Sequence, residues 1–230
     1  MGKGYKTEIV TSVYAIQKEI WNKCANFSNN SSLVGNPFLS FEFFSALEDS
    51  QSVGFKSGWL PYHITLKKND EIIAILPNFI KNHSWGEYVF DHIFANGYEK
   101  TGRKYYPKLL SGVPFSPVTG PRFLISNGFN ETIVVEKITT KLKEIIYKKK
   151  FSSANFIFIE DKQETLLIKN NEWISRFGIQ FHWENKNYVD FNDFLSFLSS
   201  SKRKAIKKER EKLFKMSLNY KLLIGNAITE

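Results

Sequence analysis

Two apolar runs, His63 to Lys67 and Ile72 to Phe79, flank the polar triplet Lys68-Asn69-Asp70. Strand-length runs joined by a short polar tip pair as an antiparallel hairpin, which makes this the most regular element expected in the chain. On its N-terminal side Asn36-Pro37 opens a segment in which Phe38, Leu39, Phe41, Phe44 and Leu47 recur near helical spacing, so a helix is expected to end near Ser50. Tyr88 to Asp91 is a third short strand candidate. Further on, Val134, Val135, Ile138, Leu142, Ile145 and Ile146 form one stripe within Glu131 to Lys149, whose lysine-rich end complements a helix dipole. Asn155 to Glu160 reads as a strand, Gln163 to Phe177 as a helix stopped by Gly178, and Ile179 to Glu184 as a returning strand. Helix and strand alternate, and the expected fold class is mixed α/β.

The chain has 230 residues, 42% of them hydrophobic, enough for one domain of ordinary size and part of another. Its longest apolar stretches fall far short of the ~20 residues that a spanning helix needs. Met1 to Val13 lacks the apolar centre of a secretory signal, so a cytoplasmic location is expected. The one cysteine, Cys24, reads as a small packed residue in a helix, and with four scattered histidines it gives no metal-ligand spacing.

The net charge is +9, which points to an anionic partner. Between Lys202 and Lys215 stand eight basic residues and two acidic ones, so six of the nine net charges lie in one stretch. Asp190 or Asn192 is placed to cap a short helix ending near Leu198, and Ser199, Ser200 or Ser201 a basic one. Ile206, Leu213 and Phe214 give the basic helix a thin apolar stripe, and a strand is expected over Ser217 to Ile224. From His92 to Arg122, tyrosines and Phe115 are mixed with prolines and glycines, as in a structured loop region that either faces a ligand or packs on a sheet.

Asn36-Pro37-Phe38-Leu39, Gly86-Glu87-Tyr88-Val89-Phe90-Asp91-His92, Tyr105-Tyr106-Pro107-Lys108, the proline-rich run from Val113 to Arg122, and Ser199-Ser200-Ser201-Lys202-Arg203-Lys204 together resemble the bacterial FemAB-like proteins. That family is placed in the N-acyltransferase (GNAT) superfamily and is often labelled peptidoglycan biosynthesis or recognition. The resemblance implies a GNAT-like central mixed sheet flanked by helices, in two domains side by side. Residues 1–189 would form the first, and 190–230 the opening helix and strand of a second, truncated one. It also implies transfer of an acyl or aminoacyl group to an amine, with acyl-CoA or aminoacyl-tRNA as donor. In the better-known branch the donor is aminoacyl-tRNA and the acceptor a cell-wall precursor carrying a diphosphate. The chain departs from acetyl-CoA-dependent domains in one respect: no Arg/Gln-x-x-Gly-x-Gly/Ala turn precedes the helix at Glu131.

Amine acylation needs a base for the amine proton and donors for the developing oxyanion. Glu87, Asp91 and His92 are the candidate catalytic residues. On a strand Glu87 and Asp91 would share one side, with His92 opposite; alternatively Asp91 caps a following helix and Glu87 pairs with a lysine. Tyr105, Tyr106, Lys108 and Arg122 are candidate substrate contacts, the cations for phosphate or carboxylate and the rings for stacking. Phe115, Thr119 and Gly120 of the proline-rich run join them. Lys202, Arg203, Lys204, Lys207, Lys208 and Arg210 are candidate contacts to the phosphates of a small anionic substrate or tRNA, or else a solvated face partly paired through Glu211. A non-catalytic nucleic-acid-binding or adaptor module built on helix 202–215 is the competing function.

Overall fold

The computed structural model describes residues 4–27, 35–89, 91–169, 172–216 and 218–227. In chain order the strands are β1 (Tyr5–Val10), β2 (Trp59–Pro61), β3 (His63–Lys68), β4 (Glu71–Leu76), β5 (Phe79–Lys81), β6 (Lys108–Ser111), β7 (Leu124–Ile125) and β8 (Ala154–Phe156). The helices are α1 (Lys18–Cys24), α2 (Phe41–Asp49), α3 (His92–Lys100), α4 (Glu131–Lys149), α5 (Asp161–Ile168), α6 (Phe191–Ser196) and α7 (Ser200–Lys215). The chain divides into two compact units, Met1–Gly178 and Ile179–Glu230.

Among the described residues the eight strands lie in the first unit, in two four-stranded sheets ordered β1-β3-β4-β7 and β2-β5-β6-β8. Every pairing is antiparallel except that of β6 with β8. The expected hairpin is β3 and β4, tightened to a two-residue tip. Asn69 and Asp70 both take positive φ, at 51° and 67°, the left-handed pair that matches the twist of a hairpin. The chain crosses from one sheet to the other at Tyr62 and Asn78, and Asn78 ties the crossing together. Its backbone N–H donates to His63 Nδ1 (3.1 Å), its side chain donates to the Tyr62 carbonyl (3.1 Å), and it accepts from Ser111 Oγ (3.0 Å).

Successive strand residues go to opposite faces, so a strand buried on both sides reads as a continuous apolar run. Ile75, Leu110 and Leu124 join Trp21 and Phe44 of α1 and α2 in one cluster. Their neighbours Ala74, Leu76, Leu109, Phe123 and Ile125 join Val134, Ile138 and Leu142 of α4 and Leu167 of α5 in another. The sheets are therefore sandwiched between helices, a mixed α/β architecture. Helix α4 has the span expected of it because its stripe is long and its ends are marked. Asn130 Oδ1 accepts from the Ile133 N–H (3.2 Å), and Lys150 turns left-handed after the last turn.

Several short expectations are not met. Tyr88 to Asp91 is no strand, since Tyr88 takes φ 57° and the chain turns there; Phe90 lies outside the described residues. The strand expected over Asn155 to Glu160 shrinks to β8, and the helix over Gln163 to Phe177 to α5. The segment taken as one loop region, His92 to Arg122, contains both α3 and β6.

In the second unit Asp190 caps α6 by accepting from the Asp193 N–H (2.8 Å). Rings of Tyr188, Phe191, Phe194 and Phe197 pack around it, and the Arg210 guanidinium of α7 lies 4.4 Å from the Phe191 ring centre. Ile179 to Glu184 and Leu218 to Ile224 carry strand-like residues but form no strand, while Ser217 lies outside the described residues. Ile179 and Phe181 are about nine-tenths exposed, with no sheet edge among the described residues of this unit to receive them. Ile206 is half-buried, whereas Leu213 and Phe214 are exposed. Among the described residues no helix is long and apolar enough to cross a membrane.

Candidate active site

Strands β5 and β6 place two lysines directly opposite each other, Lys81 against Lys108. Side chains at paired positions share a face, and like charges there repel. Both lysines are nonetheless buried, at 0% and 1% exposed. The two differ in their partners.

Lys108 has carboxylates. Its Nζ donates to Glu87 Oε2 (2.8 Å), Asp91 Oδ2 (2.5 Å) and Ser84 Oγ (3.0 Å), which uses all three ammonium hydrogens. The Tyr105 hydroxyl donates to the same Asp91 oxygen (2.8 Å), and the Tyr106 hydroxyl lies 2.7 Å from Ser84 Oγ. The rings of Tyr105 and Tyr106 stand 5.5 and 5.8 Å from the ammonium. Glu87 and Asp91 are 1% and 2% exposed, and each keeps one oxygen, Glu87 Oε1 and Asp91 Oδ1, without a hydrogen-bond partner.

Lys81 has no such company. Its Nζ donates to the Trp85 carbonyl (3.2 Å) and sits 3.7 Å from the centre of the Trp59 ring. Burial pushes it down to about 7, with the Glu87 charge opposing that and Lys108 adding to it. Burial likewise raises Glu87 against the pull of Lys108. At Asp91 burial also pushes upward, but the bond and charge of Lys108 and the bond from Tyr105 outweigh it and hold the carboxyl below its usual range. Tyr105, buried beside Asp91, is raised.

The loop that carries the carboxylates back to Lys108 depends on one glycine. Gly86 takes φ 78°, and a Cβ there would stand 2.6 Å from the Phe115 ring. Phe115, itself at φ 57°, donates its N–H to the Gly86 carbonyl (3.2 Å) and packs its ring 5.4 Å from Trp59. The Trp85 indole and the Tyr88 ring are exposed on the same loop.

A family model described as peptidoglycan biosynthesis/recognition, FemAB-like, matches residues 12–230. The chain belongs to the FemAB-like family. No curated protein matches it. A crystal structure of an aminoglycoside acetyltransferase from an uncultured soil metagenomic sample, in complex with trehalose, aligns over 80% of this chain and 99% of its own, at 13% identity and TM-score 0.41.

In this FemAB-like chain the cluster gathers Glu87, Asp91, Tyr105, Tyr106 and Lys108, which sequence reasoning divided between base and substrate contacts. Both structural alternatives for the carboxylates meet here: Glu87 does pair with a lysine, and Asp91 does occupy the N-cap position of α3. Its side chain, however, makes no cap bond and turns instead to Lys108 and Tyr105. His92 is the first residue of α3, exposed, and outside the cluster. Lys81, Ser84, Trp59 and Trp85 were missed, because only the register of β5 against β6 and the turn after β5 bring them in.

Arg122 is placed elsewhere and is fully engaged. Its Nε donates to the Ile157 carbonyl (2.8 Å), Nη2 to those of Phe158 (2.8 Å) and Val118, and Nη1 to that of Pro121 (3.4 Å). Burial lowers it to about 10. It staples the proline-rich run to the segment after β8, beside Gln163 of α5, whose side chain bonds both Arg122 and Phe123 backbones. Thr119 is exposed with its carbonyl accepting from Asn36 Nδ2 (3.3 Å), and Gly120 is buried in a backbone bridge to Ile159. Replacing Arg122 with alanine strands several buried carbonyls and is expected to destabilise the protein by about 2 to 4 kcal/mol in urea unfolding. A stable variant that had lost affinity for an anionic ligand would instead return Arg122 to a binding role.

Lys202, Arg203, Lys204, Lys207, Lys208 and Arg210 all lie on α7 of the second unit, exposed apart from half-buried Arg203, whose Nη1 reaches the Ser196 carbonyl at 3.5 Å. Among the described residues no cluster of His, Cys, Asp and Glu is placed to hold a metal ion.

Proposed function

We propose that this chain is an N-acyltransferase that moves an acyl or aminoacyl group onto an amine in the metabolism of cell-wall precursors. Family membership supports the reaction class and its setting. The observation that carries the proposal is the buried Lys108–Glu87–Asp91 cluster, in which two carboxylates share one cation and each keeps an unpartnered oxygen. A purely structural ion pair is favoured only when every lone pair is satisfied, so free acceptors in a buried site suit a ligand that brings hydrogen-bond donors. An amine in its ammonium form is such a ligand.

In this reading Glu87 Oε1 receives the acceptor ammonium and takes its proton, a role for which a raised carboxyl is suited. Asp91, fixed by Lys108 and Tyr105, stays ionised and orients the amine. The neutral amine then attacks the donor carbonyl, a C–N bond forms, and the C–S or C–O bond to the carrier breaks. The Tyr106 hydroxyl is the nearby donor for the oxygen that gains charge, with the Lys108 charge behind it. The α7 cations would meet the phosphates of an aminoacyl-tRNA donor or of a diphosphate-bearing acceptor, in the cytoplasm where both classes of donor are made. The division into domains 1–189 and 190–230 is part of the same proposal.

The exposure of all but one of the six α7 cations also favours a second reading, a nucleic-acid-binding or adaptor module. One experiment separates the two. The full chain is incubated with acyl-CoA or aminoacyl-tRNA and a nucleotide-linked peptide precursor bearing a free lysine amine, and the acceptor is weighed by mass spectrometry. A mass gain of one acyl or aminoacyl group is expected with one donor class. No gain with either, together with salt-dependent retention of uncharged tRNA, would leave the binding module.

A further inference from the structure

The two opposed lysines are chemically unequal, and the reaction as written above uses only one of them. Lys108 takes both carboxylates, while Lys81, its cross-strand neighbour, is equally buried with one carbonyl and one ring face for three ammonium hydrogens. A buried ammonium with a single hydrogen-bond acceptor and a like charge opposite is poorly solvated, and the neutral amine suits that site better. A neutral lysine has a lone pair and is a base. We propose that Lys81 is the final acceptor of the proton lost by the incoming amine, acting through Glu87. This rests on the transfer reaction proposed above.

The titratable groups around Lys81 fit the role. Lys108 on β6 lowers its proton affinity and Glu87 raises it. Asp91 Oδ2 is paired with Lys108 Nζ, and the Tyr105 phenol, being raised, stays protonated and does not compete. His83, two residues along, is lowered by burial first and by Lys81 second.

The steps balance. The acceptor ammonium gives one proton to Glu87; Glu87 and Lys81 are not directly hydrogen-bonded, so a bridging water relays that proton to the Lys81 lone pair and Glu87 is ionised again. The resulting neutral amine uses its own lone pair to form the C–N bond, and the carbonyl π pair moves to oxygen. When that pair returns, the C–S or C–O pair leaves with the carrier, and the second amine proton goes to the carrier's sulfur or oxygen. Lys81 then releases its proton to solvent. A base works only when deprotonated, so the transfer rate should rise with pH through the titration of Lys81, near neutrality.

The test has two arms. In protein labelled with carbon-13 at the lysine Cε positions, the Lys81 signal, assigned through the backbone, is followed from pH 5 to 11. Lys81 is expected to titrate near 7 and the surface lysines several units higher; titration together with them would overturn the inference and leave the transfer reaction standing. In the second arm, pH–rate profiles are compared for wild type, Lys81→Met and Lys81→Arg. Both variants should lose at least tenfold in rate and lack the rise near pH 7. A Lys81→Arg enzyme with the wild-type rate and profile would show that Lys81 serves only as a packed cation. Normal titration of Lys81 near 7 with no transfer from any donor would instead refute the reaction and this role with it.

Discussion

Replacing Lys108 with methionine is expected to destabilise the first unit by about 3 to 5 kcal/mol at pH 7, the usual cost of removing one partner from a buried ion pair. Glu87 and Asp91 would remain 1% and 2% exposed with no cation bonded to them. Lys81 offers partial relief, because loss of the neighbouring charge lets it take up a proton more readily, and this keeps the expected loss toward the lower figure.

The pH dependence follows from the carboxylates. Without Lys108 both would have folded-state pKa values above their unfolded ones, so their burial costs stability once pH exceeds the unfolded values near 4. The deficit relative to wild type should therefore shrink as pH falls from 7 toward 4. Urea unfolding of both proteins at pH 7 and pH 4.5 measures it. A loss below about 1 kcal/mol that is independent of pH would mean that water reaches these carboxylates, and the buried cluster would lose its meaning.

How legible the molecule is in its sequence depends on how local the signal is. Helix α4 could be read to its ends, because nineteen residues repeat one stripe between an asparagine cap and a lysine-rich terminus. The hairpin of β3 and β4 was legible for the same reason, with Asn69 and Asp70 suited to left-handed angles. Ile179 to Glu184 and Leu218 to Ile224 look like strands and are not, since a strand exists only against a partner and residue pattern says nothing about whether one is there. The membership of the cluster was partly visible as residue types. Its geometry was not: Glu87 and Asp91 meet Lys108 across 21 and 17 residues, through a turn at Gly86 that no alternation pattern encodes. Lys81 enters only through the register of β5 on β6. Arg122 shows the opposite limit. An arginine in a loop reads as a ligand contact, yet its donors go to backbone carbonyls whose positions the sequence does not reveal.

If the buried cluster is a reaction centre, stability and activity should part at Glu87. Glu87→Gln keeps the shape of the side chain and an oxygen for Lys108 while removing one of two carboxylates that share a single cation. What remains is a matched Lys108–Asp91 pair, relieved of a buried carboxylate whose burial already works against its charge. The variant should therefore be at least as stable as wild type. Its amide cannot take a proton from an incoming amine, and loss of a positioned base typically costs about 10²- to 10⁴-fold in rate. The decisive measurement is the single-turnover rate of label transfer from the productive donor to the amine acceptor, for wild type and Glu87→Gln, with unfolding curves taken on the same samples. An unfolding midpoint unchanged or higher and a rate lower by about 100-fold or more are expected. Equal transfer rates from two equally folded proteins would contradict this, and the cluster would then be a structural ion pair with the chemistry elsewhere.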